Sequence, residues 1–455
     1  PQSAAKRLSP TPQTPLASLP STAQRQLLSL FDRYQRERLL FAQSLAELAA
    51  REGTADALAA AGATRLLRPL MTDAVPAVQQ AAAMAVGRMA SWSEEVAGEV
   101  VREGIVEGLV GGLVDGNRFH KKACAFVLRS IAKHSPAHAR SVADGGALPA
   151  LARCIEDFDP QVKEGAVWAV GYVARQNSDL AQRVVSASLL PLLVLCLQEP
   201  SSPLKRVAAS ALSDISKHTP PLAHAVLDAL AVRHLAPLTT HADAKLRRQA
   251  FSVLGQIAKH GIDMAESVVD GQGAGDDGAV VVEAVVRGVR DEDAAVRRAA
   301  ATLVCEVVKH SEELSQLFVN SGALAPLVDY VTSTTGVSRL PGIMALGYIS
   351  AFGEALALAV AVTGGVDAVA RAMDTDEEDL VKSACAWTLG QVGRHSPEHA
   401  RAVAASGALL RLADITCLPT NPSHPCTPPI SPPKPTARSS SCLPRRRDWF
   451  IWTRS

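Results

Sequence analysis

The chain has 455 residues, of which 47% are hydrophobic and only 4% aromatic, and its 46 basic and 45 acidic residues give a formal net charge of +1. The hydrophobic fraction excludes a mainly disordered or collagen-like chain. The balanced charge argues against a strongly basic nucleic-acid-binding protein. A core with few aromatic residues has to be built from Ala, Val and Leu, which favours closely packed helices.

The cysteines and the apolar runs indicate the cellular compartment of the protein. Eight cysteines occur without a Cys-x-x-Cys pair, so neither a zinc ribbon nor a thioredoxin-type site is indicated. The N-terminal residues lack the apolar segment of a signal peptide. The longest apolar runs, 184–197 and 355–362, are too short for a membrane span. We therefore expect a soluble intracellular protein with no membrane partner.

A recurring sequence string sets the organisation of the chain. Ile-Ala-Lys-His-Ser-Pro at 131–136 returns as Ile-Ser-Lys-His-Thr-Pro at 215–220 and as Val-Gly-Arg-His-Ser-Pro at 392–397. With the histidine as marker, nine copies are found, at 51, 92, 134, 176, 218, 260, 310, 352 and 395. The step is close to 42 residues except between 260 and 310, where the Gly/Asp segment 270–278 predicts a loop insertion.

Each copy contains the pattern of three helices. After Asp159 and Pro160, apolar residues recur at helical spacing to 175. An Asp that accepts free N–H groups, followed by a Pro that has none, is a helix start. Ser135 and Pro136 open a shorter helix in the same way, and a middle helix begins near Leu148. Three helices at this period are typical of armadillo repeats. We predict an all-α armadillo-repeat fold, a right-handed superhelical solenoid of about nine three-helix repeats.

The two ends of the chain differ from the repeats. Residues 1–22 and 415–455 are rich in Pro and lack helical periodicity, so we expect both to be disordered. The predicted domains are the N-terminal extension 1–22, the array 23–414, and a tail 415–455 that replaces a final repeat. Because an array normally closes with a polar capping repeat, self-association through an uncapped C-terminal end stays open.

Three segments carry a family resemblance: Asn-Arg-Phe-His-Lys-Lys-Ala at 117–123, Ala-Ala-Ser-Ala-Leu-Ser-Asp-Ile at 208–215, and Arg-Leu-Pro-Gly-Ile-Met-Ala-Leu-Gly-Tyr-Ile at 339–349. They resemble the sperm-associated antigen 6 family, armadillo-repeat proteins of the central apparatus of motile cilia and flagella. The resemblance implies a structural scaffold of the axoneme, a part of the cytoskeleton in the cytoplasm. It also implies tubulin, microtubules and other central-apparatus proteins as partners, and no nucleic acid.

A basic residue recurs thirteen positions before the marker, near the start of the third helix. We call this row the basic ladder; it consists of Arg38, Gln79, Lys121, Lys163, Lys205, Arg247, Arg297, Arg339 and Lys382, and eight of the nine are basic. A cation at a helix N-terminus opposes the helix dipole by about 0.3–1 kcal/mol, so local stability does not account for the row. We predict that its members from Lys121 onwards contact an acidic partner such as the tails of tubulin. A solvated rim is the alternative.

No catalytic, metal or cofactor site is indicated. The Lys-His pairs close the third helix, where a Lys and a charged His favour the helix C-terminus. His134 and His138 have zinc-pair spacing, but Pro136 separates them. We therefore predict a non-enzyme without cofactor. Importin-like adaptors read peptides through a Trp and an Asn in the third helix, and the Asn register holds no Asn here. A phosphatase-scaffold-like adaptor stays open.

Overall fold

The computed structural model describes residues 21–271 and 279–417. Their regular elements are all helical, and the longest recur once per copy of the predicted repeat. These third helices are α1 (Ser21–Leu48), α4 (Pro76–Trp92), α7 (Arg118–Ala132), α10 (Pro160–Gln176), α13 (Ser202–Ser216), α16 (Ala244–Ala258), α19 (Ala294–Val308), α22 (Leu340–Phe352) and α25 (Asp379–Gly393).

Two shorter helices precede each third helix from α4 onwards. The first helices are α2 (Ala55–Ala60), α5 (Glu94–Arg102), α8 (Pro136–Asp144), α11 (Ser178–Ser186), α14 (Pro220–Asp228), α17 (Ile262–Val269), α20 (Glu312–Asn320), α23 (Glu354–Val362) and α26 (Pro397–Ala405). The second helices are α3 (Ala63–Leu67), α6 (Ile105–Asp115), α9 (Ala147–Ile155), α12 (Leu189–Cys196), α15 (Ala231–Leu235), α18 (Ala279–Val289), α21 (Leu324–Ser333), α24 (Gly365–Thr375) and α27 (Ala408–Cys417). Short 3₁₀ helices at Arg68–Thr72, Ala236–Thr240 and Gly336–Arg339 lead into α4, α16 and α22. The described residues thus hold eight complete three-helix sets, which confirms the predicted all-α armadillo-repeat solenoid.

The third helices stack on one another in chain order, from α1 against α4 to α22 against α25. Small residues let them approach closely. A side chain at Gly87 would collide with the ring of Phe126 in the next third helix, and one at Gly347 would collide with Trp387. The buried side chains are mostly Ala, Val and Leu. The low aromatic content therefore follows from helices that pack at short range.

The predicted helix starts are confirmed. The Asp159 side chain accepts the backbone N–H of Gln161 at 2.8 Å, and α10 begins at Pro160. The Ser135 hydroxyl accepts the backbone N–H of His138 at 3.4 Å, and α8 begins at Pro136. These side chains satisfy N–H groups that have no partner within the helix.

Each first helix ends in a left-handed residue. That residue, two positions after the helix, is a glycine at Gly62, Gly104, Gly146, Gly271, Gly322, Gly364 and Gly407, and a non-glycine at Ser188 (φ 59°) and Leu230 (φ 60°). A left-handed residue after a helix directs the chain into a sharp turn, and glycine adopts this conformation without strain. The turn between first and second helices is therefore part of the repeat.

Two compact units divide the chain, Pro1–Gly407 and Ala408–Ser455. The eight complete sets lie in the first unit, and α27 is the described part of the second. Residues 1–20, 272–278 and 418–455 lie outside the described residues. These ranges hold most of the predicted N-terminal extension, most of the predicted insertion and most of the predicted tail, respectively. Helix α27 continues to Cys417, three residues beyond the predicted end of the array.

None of the described helices combines the length and the apolar composition that a membrane span requires. Two sharply bent pairs, α11 with α12 and α23 with α24, meet that requirement only when their two helices are counted together, by length and composition.

Candidate partner-binding surface

The basic ladder occupies one constant position in the third helices. Lys121, Lys163, Lys205, Arg247, Arg297 and Lys382 are each the fourth residue of their helix, whereas Arg339 is the residue before α22. None of these seven is fully exposed to solvent. These residues therefore form a single row along consecutive third helices.

Most of the ladder cations pair with a carboxylate from the following repeat. That carboxylate lies in the loop between the second and third helices. The pairs are Arg38–Asp73, Lys121–Asp157, Lys163–Glu199, Arg247–Asp291 and Arg339–Asp376. The argument that local stability does not account for the ladder is therefore wrong, because it considered the helix dipole and not a carboxylate from the next repeat.

The Arg247–Asp291 pair shows the geometry in detail. Nε and Nη2 of Arg247 each donate to one carboxylate oxygen of Asp291 at 2.8 Å. The same carboxylate accepts the backbone N–H of Asp293 at 2.9 Å and so holds the loop before α19. Burial raises the pKa of Asp291, but the hydrogen bonds from Arg247 and Asp293 outweigh it and leave the pKa below its usual value. The pair therefore fixes the position of one repeat against the next.

Four members of the ladder differ, and one of them, Gln79, carries no charge. Lys205 and Lys382 form no ion pair within the described residues. Arg297 donates from Nη1 to the backbone carbonyls of Asp291 at 2.9 Å and Glu292 at 3.0 Å, and so closes its own loop. As a surface for an acidic partner, the ladder stays a prediction, and Lys205 and Lys382 are its members best placed for that role.

The marker residue at the end of each third helix has a different role from the one expected. In α10, Nε2 of Gln176 donates to the carbonyl oxygens of Ala132 and Lys133 at 2.7 and 3.0 Å. Five histidines make the equivalent bond: Nε2 donates to the carbonyl oxygen of the residue two positions before the marker of the preceding repeat. The pairs are His134 with Ala90, His218 with Ala174, His260 with Ser216, His310 with Ala258 and His395 with Ser350, at 2.6–2.8 Å.

Four of these marker histidines, His134, His218, His260 and His310, are neutral donors. Burial lowers the pKa of His134, His218 and His310, and lowers that of His260 to about 4. The prediction that these histidines are charged and interact with the helix dipole is therefore wrong. The neutral ring instead satisfies a C-terminal carbonyl of the preceding third helix, a group that lacks a partner within its own helix.

A second set of cations lies on the third helices; the sequence reasoning assigned its lysines, which belong to the Lys-His pairs, to the helix end and missed its arginines. Three successive helices carry the same four-residue stripe, which we call the central stripes. Each stripe has three residues in the helix and a lysine directly after it: Arg206, Ser210, Asp214 and Lys217 at α13; Arg248, Ser252, Gln256 and Lys259 at α16; and Arg298, Thr302, Glu306 and Lys309 at α19. None of the twelve is buried. The 42-residue register would have found these arginines if it had been applied twelve residues before the marker.

Positive charge predominates on the central stripes. Asp214 pairs with Lys217 at 2.7 Å, Glu306 pairs with Lys309, and Arg206 lies 3.5 Å from Asp243. The stripe of α16 has two cations and no carboxylate. Burial, with Lys309 and Lys217 nearby, lowers the pKa of Lys259 to about 8 although Glu306 opposes the shift. Lys217, Lys259 and Lys309 thus lie along one edge of this surface, and two of them are paired with a carboxylate.

An aromatic cluster adjoins the central stripes. We call Phe126, Trp168 and Tyr172 the aromatic shelf. Trp168 and Tyr172 stack with ring centroids 5.7 Å apart, and the guanidinium of Arg129 lies 5.3 Å from the ring centroid of Phe126 and 5.4 Å from that of Trp168. A shallow pocket between α10 and α13 is lined by Trp168, Tyr172, Arg175, Ser210 and Asp214.

The described cysteines are poor candidates for nucleophiles. Burial raises the pKa of Cys124 and Cys385 to about 12 and that of Cys154 and Cys196 to about 11, and it also raises the pKa of Cys305. A reactive cysteine needs a lowered pKa and access to solvent. Within the part of the chain that the structure describes, no group of three or more His, Cys, Asp or Glu side chains is arranged to hold a metal ion.

Two short helices and a long one, repeated at a period of 42 residues and stacked through the long helix, define an armadillo-repeat protein. A family model, the Armadillo/beta-catenin-like repeat, matches residues 135–175, which correspond to α8, α9 and α10.

Similarity to sperm-associated antigen 6 extends over a longer segment. The Mus musculus protein is 50% identical over 101 residues, which are 22% of this chain and 20% of the mouse protein. The Homo sapiens protein is 49% identical over the same length. The resemblance inferred from the sequence is confirmed for this segment. The chain spans about a fifth of the length of the curated relatives that it matches.

Solved structures show the same fold. An engineered protein superposes with a TM-score of 0.75 at 24% identity, over 84% of this chain and 90% of that one. A second engineered protein superposes with a TM-score of 0.51 at 27% identity, over 54% of this chain and 98% of that one. A designed armadillo repeat protein superposes with a TM-score of 0.50 at 20% identity, over 53% of this chain and 99% of that one.

Proposed function

We propose that this protein is a non-catalytic structural scaffold of the axonemal central apparatus, and that it binds microtubules and central-pair proteins to support ciliary and flagellar motility. The observation that carries the proposal is the 50% identity to sperm-associated antigen 6 over 101 residues. Tubulin and other central-apparatus proteins are the proposed partners, and the proposed location is the axoneme.

The array suits a scaffold for a physical reason. Each repeat contacts its neighbours in chain order, so a stacked array presents one continuous surface that several partners can share. The ion pairs of the ladder and the hydrogen bonds of the marker residues join consecutive repeats. These joints support a scaffold that keeps its form under load.

The proposed contact with the acidic tails of tubulin uses cations of the third-helix surface. Lys205 and Lys382 are the ladder members that we assign to it, since the five paired members hold repeats together. A transport adaptor of the importin kind would present a groove for basic peptides. The central stripes are predominantly positive and would repel a basic peptide, so we do not favour that function.

Localisation tests the proposal. A fluorescently tagged chain expressed in a cell with motile cilia should decorate the axoneme along its length and stay there after the membrane is removed by detergent. The tag alone serves as control and should wash out. A diffuse cytosolic or nuclear signal for the tagged chain, removed by the same detergent, overturns the proposed function.

A further inference from the structure

We propose that Ser202 is a phosphorylation site for a proline-directed protein kinase, and that its phosphate pairs with Lys205 one helical turn further along α13. The modification goes beyond the proposed scaffold function and does not depend on it, since it needs only this chain, a kinase and ATP. Three features of the segment around Ser202 support it: a joint without its carboxylate, a kinase motif and an unused hydroxyl.

The joint between α13 and α16 lacks the ion pair that other joints of the ladder have. Lys121 pairs with Asp157, 36 residues further along the chain. The residue 36 positions after Lys205 is His241. Nδ1 of His241 accepts the backbone N–H of Asp243 in its own loop at 3.0 Å, so the ring fills the place of the carboxylate without its negative charge. Lys205 therefore has no anionic partner within the described residues.

A kinase motif lies one helical turn before this lysine. Proline-directed kinases phosphorylate a Ser or Thr that is followed by Pro, and many of them favour a Lys or Arg three positions after it. Within the described residues, Ser-Pro or Thr-Pro pairs begin at 135, 202, 219 and 396. The residues three positions after them are His138, Lys205, Leu222 and His399. In that part of the chain, only the pair at Ser202 completes the motif.

The Ser202 hydroxyl is not used by the fold. Ser201 is the N-cap of α13, and its side chain accepts the backbone N–H of Leu204 at 3.5 Å. The partly exposed Ser202 makes no side-chain hydrogen bond to the described residues. Ser135 and Ser396, by contrast, cap their helices, and each also bonds to a histidine Nδ1. Among these three serines, the one with the complete motif is therefore the one without a cap role.

The segment around Ser202 can open into the extended shape that a kinase cleft binds. Glu199 and Pro200 lie in the loop before α13, and Ser201 is extended, with φ −75° and ψ 108°. A residue before Pro disfavours helical backbone, and the first N–H groups of a helix have no partner within it. Opening the first turn therefore breaks few hydrogen bonds, among them the one from the Lys205 N–H to the Ser201 carbonyl at 3.0 Å.

The phosphoryl group comes from ATP. The Ser202 oxygen attacks the γ-phosphorus and forms a P–O bond, while the bond from that phosphorus to the bridging oxygen breaks and ADP leaves. A carboxylate base of the kinase takes the hydroxyl proton. The product carries roughly 1.5–2 negative charges near pH 7. Because residues three and four positions apart are neighbours on a helix, the phosphate lies beside Lys205 and Arg206. It gives Lys205 the anionic partner that His241 does not.

Phosphorylation of the purified full chain tests the site. A cyclin-dependent kinase with ATP is the probe, and mass spectrometry of proteolytic peptides maps the phosphates. Ser202 should be labelled, and a Ser-Pro-Pro-Lys run at 431–434 reports in the same sample that the kinase acts on this chain. K205Q should slow the labelling of Ser202 roughly fivefold, because it removes an exposed ion pair with the kinase, and should leave the labelling at 431 unchanged.

A matched variant controls for the loss of a lysine. K245Q makes the same change at an exposed lysine of the next third helix, α16, and Ser202 should be labelled in it as fast as in the unchanged chain. Equal slowing in K205Q and K245Q would contradict a motif that contains Lys205.

The pairing of the phosphate with Lys205 has its own measurement. In phosphorylated chains that carry S431A, phosphorus NMR follows the titration of the Ser202 phosphate. A neighbouring cation favours the doubly charged form, so the second pKa of this phosphate should be lower in the chain that keeps Lys205 than in K205Q. Hydrogen exchange in the first turn of α13 should also slow severalfold on phosphorylation, because the ion pair holds the turn closed.

Two results overturn the proposal. One is a phosphate at 431 with none at Ser202, and the other is an equal second pKa of the Ser202 phosphate with and without Lys205. Neither measurement uses a ciliated cell. Their failure therefore leaves the proposed scaffold function in place, and absence of the tagged chain from axonemes leaves the phosphorylation site in place.

Discussion

Nε2 of His260 donates a hydrogen bond of 2.7 Å to the carbonyl oxygen of Ser216, which lies in the preceding third helix. The equivalent residue of the earlier repeat, Gln176, donates in the same way to Ala132. A titratable ring and a non-titratable amide therefore make the same joint between repeats.

The first prediction uses this equivalence. Burial lowers the pKa of His260 to about 4, and lowers that of His218 as well. An unfolded histidine binds a proton near pH 6.5, so between pH 6.5 and 4 the unfolded chain holds more protons, and stability falls as the pH falls. We expect a loss of roughly 1–2 kcal/mol for His260, less than the full shift implies because solvent reaches the ring.

Urea unfolding at pH 7.5 and pH 5 measures this effect. The variant H218Q/H260Q should match the unchanged chain at pH 7.5 and lose less stability at pH 5. The variant H218A/H260A, which removes the donors, should be less stable at both pH values. An identical loss between the two pH values in H218Q/H260Q and the unchanged chain contradicts the neutral-donor role.

The second prediction concerns the most buried ladder pair. Arg339 and Asp376 are 2.6 Å apart, and their side chains are 8% and 7% exposed. R339M leaves the carboxylate buried without its cation, so it should cost about 3–5 kcal/mol. The exposed pair Arg140–Asp179 provides the control, with side chains 51% and 57% exposed, and R140M should cost less than about 1 kcal/mol. Chemical denaturation of both variants measures the difference, and equal losses would show that the ladder pairs do not hold the repeats together.

The third prediction concerns the left-handed turn after the first helix. Ser188 holds a φ of 59° at a position where most repeats have glycine. S188G should stabilise the protein by about 0.5–1 kcal/mol, because the strained conformation costs glycine little. G146A places a side chain in the same conformation, at a φ of 78°, and should destabilise by about 1–2 kcal/mol. Thermal unfolding should therefore move in opposite directions for the two variants, and a shift of the same sign in both would contradict this explanation.

The fourth prediction tests the close approach of the third helices. A Cβ at Gly347 would lie 2.3 Å from the ring of Trp387 and 2.7 Å from the Thr388 hydroxyl, whereas one at Gly390 would meet nothing within 4 Å. G347A should therefore destabilise by about 1–3 kcal/mol. G390A should be neutral or stabilise by up to about 1 kcal/mol, since Ala favours a helix over Gly. A ranking in the other order, measured by thermal unfolding, would show that α22 and α25 do not pack as described.

The repeat, the helix starts and the stacking of third helices could be predicted because they depend on local pattern. Asp159 before Pro160 specifies a helix start without knowledge of any other repeat. The marker histidine likewise fixed the register, including the 50-residue step before His310. These features follow from residues close together in the chain.

The roles of the ladder and the marker residues could not be derived in the same way, because their partners lie one repeat away. Asp157 is 36 residues after Lys121, and Ala90 is 44 residues before His134. Only the packing of one third helix on the next brings these groups together. The burial that keeps His134 neutral has the same origin.

The central claim is that the third-helix surface attaches this protein to microtubules, and co-sedimentation tests it most directly. The full chain should pellet with microtubules at low salt, as should R153E/R233E/R287E, which reverses three exposed arginines of the second helices α9, α15 and α18. The variant R175E/R248E/R298E, which reverses three exposed arginines of the third helices, should stay mainly in the supernatant, and so should the full chain when the acidic tubulin tails have been removed by limited proteolysis. Equal pelleting of all samples, or no pelleting of the full chain, would contradict the account.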